Sequence, residues 1–418
     1  MHAVKISLTV PTQSSGGTTI AIRAGATVLA LLTAAIALLV LYPPSRTKRP
    51  KASSTAALPL ASYDARSLRM PCSDLELSNS LGQLCPRSNA PTSDLLHFWR
   101  LCSVADGLPR GAAKASFDLH GVAPSCARIK SIFLSDTAFR ARYPHGSDWL
   151  LSGASGLAVR RAGGRTSATG EQHPGQFLCV LAECGMPLDE PVTVNERAYH
   201  VSDLVAGAER DYLAEAPAEF LAAALAVYLP PQRGFLNRFE ERITFDDLVG
   251  SLTKQPHGEG SCYGTHACYA LAAVLAAHRR SPILAEAAEA RADAYLAEAA
   301  RLLSSRQHLD GAWRFDWSSA RRCREPAAAN ALWGAAIQVT GHHLEWLAIA
   351  PRCYLPPNAI ERALRFTARR LRLIAPGDVH GSYCAWSHAA RSLLQWRIIL
   401  RSEASPNSSA DARSGGAL

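Results

Sequence analysis

The sequence lacks the short motifs that identify several large classes of hydrolase. It contains no glycine-rich phosphate-binding loop, no Gly-x-Ser-x-Gly nucleophile turn and no His-Glu-x-x-His metal motif. His342 and His343 are followed by Glu345, but this order is not that of the zinc proteases. Hydrolases of those mechanistic types are therefore disfavoured.

The chain also lacks a concentrated basic segment with interleaved aromatic residues, although its formal net charge is +9. Six of the 44 lysine and arginine residues lie within residues 1–51, which contain no acidic residue, and this leaves 38 basic against 35 acidic residues elsewhere. Because the excess charge is confined to one end, the rest of the chain has an ordinary mixed surface. We expect no nucleic-acid partner.

Hydrophobic residues make up 48% of the 418 residues, which is enough for a sizeable core and excludes disorder of the whole chain. The eleven cysteines are scattered and odd in number, unlike the dense disulfide framework of a small secreted domain. We expect most of them to be buried free thiols, because cysteine behaves as a small hydrophobic residue.

Residues 24–42 form an uninterrupted apolar segment, AGATVLALLTAAIALLVLY. Its length is close to the ~20 residues that a helix needs to cross a bilayer. Pro43, Pro44 and a basic stretch follow it in place of a cleavage site, so we predict a single-pass membrane anchor rather than a signal peptide. The basic residues after the segment outnumber those before it, which favours the cytoplasmic side for the domain that follows.

The remaining chain divides into a tail (residues 1–23), a polar linker (43–67), a folded domain (68–401) and a second polar tail (402–418). Within the folded domain, helical periodicity recurs and strand signals are sparse. The sequence therefore predicts an all-α domain.

Ten predicted helices of this domain alternate in character. They cover residues 93–104, 175–184, 201–213, 216–228, 244–252, 262–278, 283–304, 326–340, 357–373 and 383–400. The segments that begin at 216, 262, 326 and 383 are alanine-rich and apolar most of the way round, whereas those at 201, 283 and 357 carry charges on one face. Buried helices alternating with outer ones are what a ring of concentric helix pairs requires. We predict an α/α toroid of about five to six helix pairs.

One motif links this pattern to a known superfamily. Gln307-His308-Leu309-Asp310-Gly311-Ala312-Trp313 follows a predicted outer helix. It resembles the Q-x-x-(D)-G-x-W repeat of the terpenoid cyclases and of the protein prenyltransferase β subunits. The resemblance implies that the glutamine caps backbone groups and that the tryptophan stacks on it, in a turn that stabilises the toroid. It also implies a hydrophobic or isoprenoid-like ligand in the central cavity.

The catalytic motifs of that superfamily are absent. Its cyclases use an Asp-x-Asp-Asp acid, but the nearest pair, Asp246 and Asp247, lacks the first aspartate and lies on an apparently outer helix. Its prenyltransferases bind zinc through an Asp-x-Cys pair, but Asp378 lies six residues from Cys384. Neither mechanism is implied for this chain.

Two predicted inner helices nevertheless begin with a similar pattern of glycine, serine, tyrosine and cysteine. Cys262 precedes His266 by four residues, and Cys384 precedes His388 by four, a spacing that places each pair on one helix face. Together they have the composition of a Cys2His2 zinc site. Packed cysteines and hydrogen-bonded histidines explain the same spacing, and both interpretations stay open here.

Acid–base chemistry at the mouth of the inner helices is a further interpretation. Its candidate catalytic residues are His266, His388 and Asp378, whose pKa values burial would tune. Ligand-binding residues are expected to face the same cavity, namely His173, Gln176, Tyr263, Tyr383 and Trp386.

Two functions follow from these observations. The first is a membrane-anchored toroid protein, similar to terpenoid cyclases and prenyltransferases, that binds a hydrophobic or isoprenoid-like ligand. The second is a non-catalytic, membrane-tethered helical scaffold that binds a peptide or protein partner. The missing catalytic motifs favour the scaffold, whereas the polar cluster on the inner helices favours the ligand-binding protein.

Overall fold

The structure is a computed structural model that describes residues 60, 68–106, 123–153, 156–163, 169–319, 329–374 and 382–404. The predicted membrane segment at 24–42 and the candidate residue Asp378 lie outside these ranges. Within them, none of the helices is long and apolar enough to cross a membrane. All the residues described belong to one compact unit, Ala52–Leu418.

The described residues form thirteen helices and three hairpins. The helices are α1 (Asp74–Gln83), α2 (Thr92–Asp106), α3 (Ala123–Leu134), α4 (Asp136–Arg142), α5 (Gln176–Glu183), α6 (Val201–Asp211), α7 (Glu219–Tyr228), α8 (Phe245–Lys254), α9 (Thr265–Arg280), α10 (Glu286–Arg306), α11 (Ala329–Ile349), α12 (Pro357–Arg372) and α13 (Tyr383–Ala404). The strands are β1 (Leu150–Gly153), β2 (Gly156–Val159), β3 (Pro191–Val194), β4 (Arg197–His200), β5 (Gly234–Leu236) and β6 (Arg242–Thr244).

The domain is mostly helical, as predicted, but the three antiparallel hairpins were not expected. β1 pairs with β2, β3 with β4, and β5 with β6. Each strand has only three or four residues, which is too short to show an alternating pattern in the sequence. The hairpins lie in connections between helices, so they leave the helical architecture unchanged.

Six of these helices contact one another in a closed cycle. α2 contacts α5, α5 contacts α7, α7 contacts α9, α9 contacts α11, α11 contacts α13, and α13 contacts α2. The other helices that follow α2 alternate with these along the chain: α3 and α4, then α6, α8, α10 and α12. We call α2, α5, α7, α9, α11 and α13 the cycle helices.

Side-chain burial explains the two kinds of helix. α9 buries every side chain from Thr265 to Ala277, while α10 buries one stripe that includes Ala292, Leu296 and Leu303. A helix that is apolar all round belongs in the interior, and a helix with one apolar stripe covers it. The alternation predicted from composition is present in these two helices.

The segment that follows α10 connects α10 to α12 through side-chain hydrogen bonds. Gln307 Nε2 donates to the carbonyl oxygen of Ala359 at 2.8 Å, in the first turn of α12, and Gln307 Oε1 accepts from Arg362 Nε at 3.0 Å. Trp313 is fully buried, and its Nε1 donates to the carbonyl oxygen of Leu303 at 2.9 Å. Glutamine and tryptophan here satisfy backbone groups, which is a structural role.

We predict that Gln307→Ala lowers the free energy of unfolding by about 1–2 kcal/mol, because carbonyl oxygens at this turn lose their donor. Chemical denaturation followed by circular dichroism measures the change. Ser304→Ala, at an exposed position of α10, is the control and should stay within about 0.5 kcal/mol of wild type. Equal values for the two variants would contradict the role assigned to Gln307.

Candidate metal centre

A cavity of about 780 Å³ reaches the cycle helices near their N-terminal ends. Gln176, Phe220, His266 and Cys384 lie in the first turns of α5, α7, α9 and α13, and all four line the cavity. His173 lines it as well, stacked on Phe220 with ring centroids 5.2 Å apart. The lining is therefore mixed, with polar groups well represented.

Polar residues recur at helical spacing along the cycle helices. Three of these helices carry three such residues each, in the order Gln176, Cys179 and Glu183 on α5, Gln338, His342 and Glu345 on α11, and Cys384, His388 and Arg391 on α13. α2 contributes His97 and Arg100, three residues apart. Residues at i, i+3 or i+4, and i+7 share one helix face, so these side chains form successive layers.

The middle layer contains four imidazoles, those of His97, His266, His342 and His388, each at least nine-tenths buried. The ring centroids of His342 and His388 lie 3.6 Å apart, those of His266 and His342 lie 4.6 Å apart, and those of His97 and His388 lie 5.1 Å apart. Burial lowers the pKa of His342 and His388 and lowers that of His97 to about 4. These three imidazoles are therefore neutral at pH 7.

Glu345 lies beside two of these rings and is hydrogen-bonded to that of His388. Its Oε2 lies 2.8 Å from His388 Nδ1 and 3.8 Å from His342 Nδ1. The opposite ring nitrogens, His342 Nε2 and His388 Nε2, are buried and have no hydrogen-bond partner among the residues described. A buried polar atom without a partner is costly, so a ligand for these nitrogens would relieve an existing penalty.

Two thiols lie next to the imidazoles. Gln338 Nε2 lies 3.4 Å from Cys262 Sγ and 3.6 Å from Cys384 Sγ, within donating distance of both. Hydrogen bonding from the Cys384 thiol, with the imidazoles of His266 and His342 nearby, holds the pKa of Cys262 well below its usual value. The same hydrogen bond and burial raise the pKa of Cys384.

Cys262 reaches the cluster from a turn and not from a helix, which corrects the predicted helix start. The backbone of Cys262 and Tyr263 is left-handed, with φ of 48° and 61°, and α9 begins at Thr265. Gly264 caps α9, and a Cβ at this position would lie 2.8 Å from backbone atoms of the same turn. Trp317 Nε1 donates to the carbonyl oxygen of Tyr263 at 2.9 Å and anchors the turn.

Below the imidazoles lies a layer of four charged residues, which we call the ion layer: Arg100, Glu183, Glu345 and Arg391. Arg100 donates to both carboxylate oxygens of Glu183, and Arg391 Nη1 lies 3.2 Å from Glu345 Oε1. Each of the four side chains is at most 7% exposed. Burial alone would raise the pKa of Glu183 and Glu345, but the two guanidinium groups outweigh it and hold both below the usual value.

Three sets of potential metal ligands occur among the described residues, and two of them combine a thiol with two imidazoles, whereas the third is His342, Glu345 and His388. Of the two mixed sets, one is Cys262, His266 and His342, and the other is His97, Cys384 and His388. Within each triad the ligand atoms lie within 4.8 Å of one another. We call them the first and the second triad.

The structure brings all four predicted metal ligands into one cluster but groups them differently. Cys262 and Cys384 fall in different triads, each with its own pair of imidazoles. Of the predicted ligand-binding residues, His173, Gln176 and Tyr263 line the cavity. Tyr383 and Trp386 are not part of its lining, and the Tyr383 hydroxyl donates to a carbonyl oxygen at the end of α1, 2.7 Å away.

Sequence reasoning missed several residues of the site. They are His97, Arg100, Glu183, Gln338, His342, Glu345 and Arg391. The signal that could have identified most of them is polar residues at i, i+3 or i+4, and i+7 on largely apolar helices.

In comparisons with protein-family models, with curated proteins and with solved structures, no match to this chain was found. The resemblance to the terpenoid cyclase and prenyltransferase superfamily therefore depends on the segment from Gln307 to Trp313 and on the helix pattern.

We predict that Glu183→Gln lowers the free energy of unfolding by about 3–5 kcal/mol, because it leaves the buried guanidinium groups with one carboxylate between them. Glu298→Gln, in the partly exposed pair with Arg301, is the matched control and should cost less than about 1 kcal/mol. Denaturant titration of both variants makes the comparison. A cost for Glu183→Gln as small as the control's would show that the ion layer contributes little to stability.

A second prediction concerns pH and the start of α5. Glu171 accepts hydrogen bonds from the backbone N–H groups of Gly175 and Phe177, and burial raises its pKa from 4.5 to about 7. The folded protein thus binds a proton that the unfolded chain has released, so this contribution to stability is lost as the pH rises from about 4.5 through 7. Glu171→Gln cannot ionise, and its stability relative to wild type should rise over that interval by up to about 3 kcal/mol. A constant difference between the two proteins from pH 5 to pH 8 would refute the assignment.

Proposed function

We propose that this chain is an α/α toroid of six helix pairs whose centre binds zinc and acts as a zinc-dependent enzyme. The observation that supports the proposal best is the pair of buried imidazole nitrogens, His342 Nε2 and His388 Nε2, which lie beside two thiols and have no partner among the described residues. Zinc is the metal that mixed thiol and imidazole ligands favour.

The closed cycle of helices supports the toroid. Each pair would consist of one cycle helix and the outer helices that accompany it, and α1, which contacts α12 and α13, would complete the outer layer. The bonds of Gln307 to backbone groups agree with what the sequence resemblance implies for that fold.

The first triad is the proposed zinc site. Cys262 supplies a thiolate, and His266 and His342 supply imidazoles, so three protein ligands would leave one position open to the cavity. Glu345 Oε2 lies 3.8 Å from the other ring nitrogen of His342, on the side where a carboxylate often lies behind a zinc-bound histidine. A closed structural site would need no access to a cavity of this size.

The surrounding residues support catalysis on a small polar molecule. Zinc in an open three-ligand site supplies Lewis acidity. Gln338 presents its amide N–H groups to the two sulfur atoms, and Arg100, His97 and Gln176 present polar groups to the cavity. The ion layer fixes the floor of the site, so the ligands above it are held in place before substrate binds.

The hydrophobic or isoprenoid-like ligand remains a separate proposal. Phe220, Val180 and Tyr263 offer apolar surface in the cavity, but they are interspersed with imidazole, amide and guanidinium groups. The non-catalytic scaffold also remains a proposal, and it gives no reason for two buried imidazole nitrogens to lack partners.

The membrane anchor at residues 24–42 also remains a proposal, and it would hold the cavity close to a lipid surface. Cys102 and Cys126 form a disulfide between α2 and α3. Disulfides persist in oxidising compartments, which favours the non-cytoplasmic side for this domain, against the side favoured by the flanking charges.

We predict that the full chain, purified in detergent without a metal-binding tag, contains at least one equivalent of zinc by mass spectrometry of the metal. Cys262→Ala should lose about one equivalent relative to wild type, because it removes the thiolate of the first triad. Cys268→Ala removes a buried thiol outside the cluster and should keep the wild-type content. Less than a tenth of an equivalent in the wild-type protein, before and after incubation with zinc, would end the proposal.

A further inference from the structure

The central cluster holds more ligands than one zinc ion uses. Zinc in proteins takes about four ligands, whereas the cluster offers two thiols and four imidazoles, in two triads that share no residue. We infer that the cluster is a two-metal centre, with a second ion bound by His97, Cys384 and His388, and that it binds an oxyanion such as a phosphate group. This inference rests on the proposed zinc site and extends it.

The two triads have the same composition and come from different parts of the fold. The first triad belongs to α9, the turn before it, and α11, whereas the second belongs to α2 and α13. Each has one thiol and two imidazoles. A single ion bound by the first triad would therefore leave a complete second set of ligands beside it.

Both imidazoles of the second triad are oriented to present Nε2. His97 Nδ1 lies 2.7 Å from the carbonyl oxygen of Ser93, so Nδ1 carries the proton and Nε2 has a free lone pair. His388 Nδ1 faces Glu345 Oε2 at 2.8 Å, and its Nε2 is buried without a partner among the described residues. The other ring nitrogen of a metal-bound histidine commonly donates to a carbonyl or carboxylate oxygen, which holds the ring in place.

The two positions are adjacent. The rings of His342 and His388, one from each triad, lie 3.6 Å apart, and the amide of Gln338 lies within 3.6 Å of both sulfur atoms. A backbone contact makes this approach possible, because a Cβ at Gly341 would lie 2.8 Å from the backbone nitrogen of Ala389. Two ions held this way would face the same cavity.

The charge balance indicates the ligand class. Two divalent ions bound to two thiolates leave a net charge of about +2, and the ion layer below contributes none, because its two arginines neutralise its two glutamates. Arg100, whose charge is already counted in the ion layer, also lines the cavity. A dianionic oxyanion whose oxygens reach both ions would neutralise the centre, as phosphoryl groups do in two-metal sites.

The test is zinc stoichiometry of the full chain, stripped with chelator and titrated with zinc against a competing indicator. Wild type and Cys268→Ala should bind two equivalents, Cys262→Ala and Cys384→Ala one each, and the double variant none. Circular dichroism checks the folding of every variant. If Cys384→Ala does not fold, His97→Gln replaces it, with the same expected loss of one equivalent.

Inorganic phosphate is the probe for the ligand. Isothermal titration should show phosphate binding to the two-zinc form at least tenfold more tightly than to the one-zinc form or to Cys384→Ala. Wild type that saturates at one equivalent would overturn the second site and leave the first intact, whereas no zinc at all would end both. Two equivalents with equal phosphate affinity in all forms would overturn the oxyanion assignment.

Discussion

The buried ion layer is the interaction on which the rest of this structure depends. Four charged side chains meet inside a core that is otherwise mostly alanine and leucine, where an unpaired charge would cost several kcal/mol. The four residues, Arg100, Glu183, Glu345 and Arg391, come from four different cycle helices. They can pair only when each helix has the correct axial position and rotation. The layer therefore acts as a constraint on geometry more than as a source of stability.

Glu345 connects the ion layer to the imidazoles. The same carboxylate forms an ion pair with Arg391 below and faces the imidazole nitrogens of His342 and His388 above. Its contact with His388 Nδ1 leaves His388 Nε2 as the ring nitrogen available to a ligand. The cavity, the imidazoles and the thiols thus form one arrangement, in which the reactive groups are oriented by groups that themselves have little freedom to move.

The parts that sequence reasoning predicted are those with a strong local signal. Helices such as α9 and α10 were predicted to within a few residues because apolar periodicity persists over many turns. Helix α1 was missed although Ser73 and Glu76 form a capping box at its start. Cys262 was placed on a helix because spacing alone does not reveal a left-handed turn. Arg100, His388 and Arg391, which contact Glu345, lie on other helices, and no local pattern relates residues so far apart in sequence.

The closed order of the helices has a consequence for how the centre forms. α13 follows every other cycle helix along the chain, yet it supplies Cys384, His388 and Arg391 and is the element that contacts α2. Until it docks, Glu345 lacks one of its two guanidinium partners and the second triad has a single ligand. Contacts between residues so distant in sequence form late, because ordering the intervening chain must come first. The cluster of thiols and imidazoles therefore forms only when the cycle of helices closes. In a partly folded chain the thiols are exposed without the imidazoles and charged residues that surround them in the folded protein.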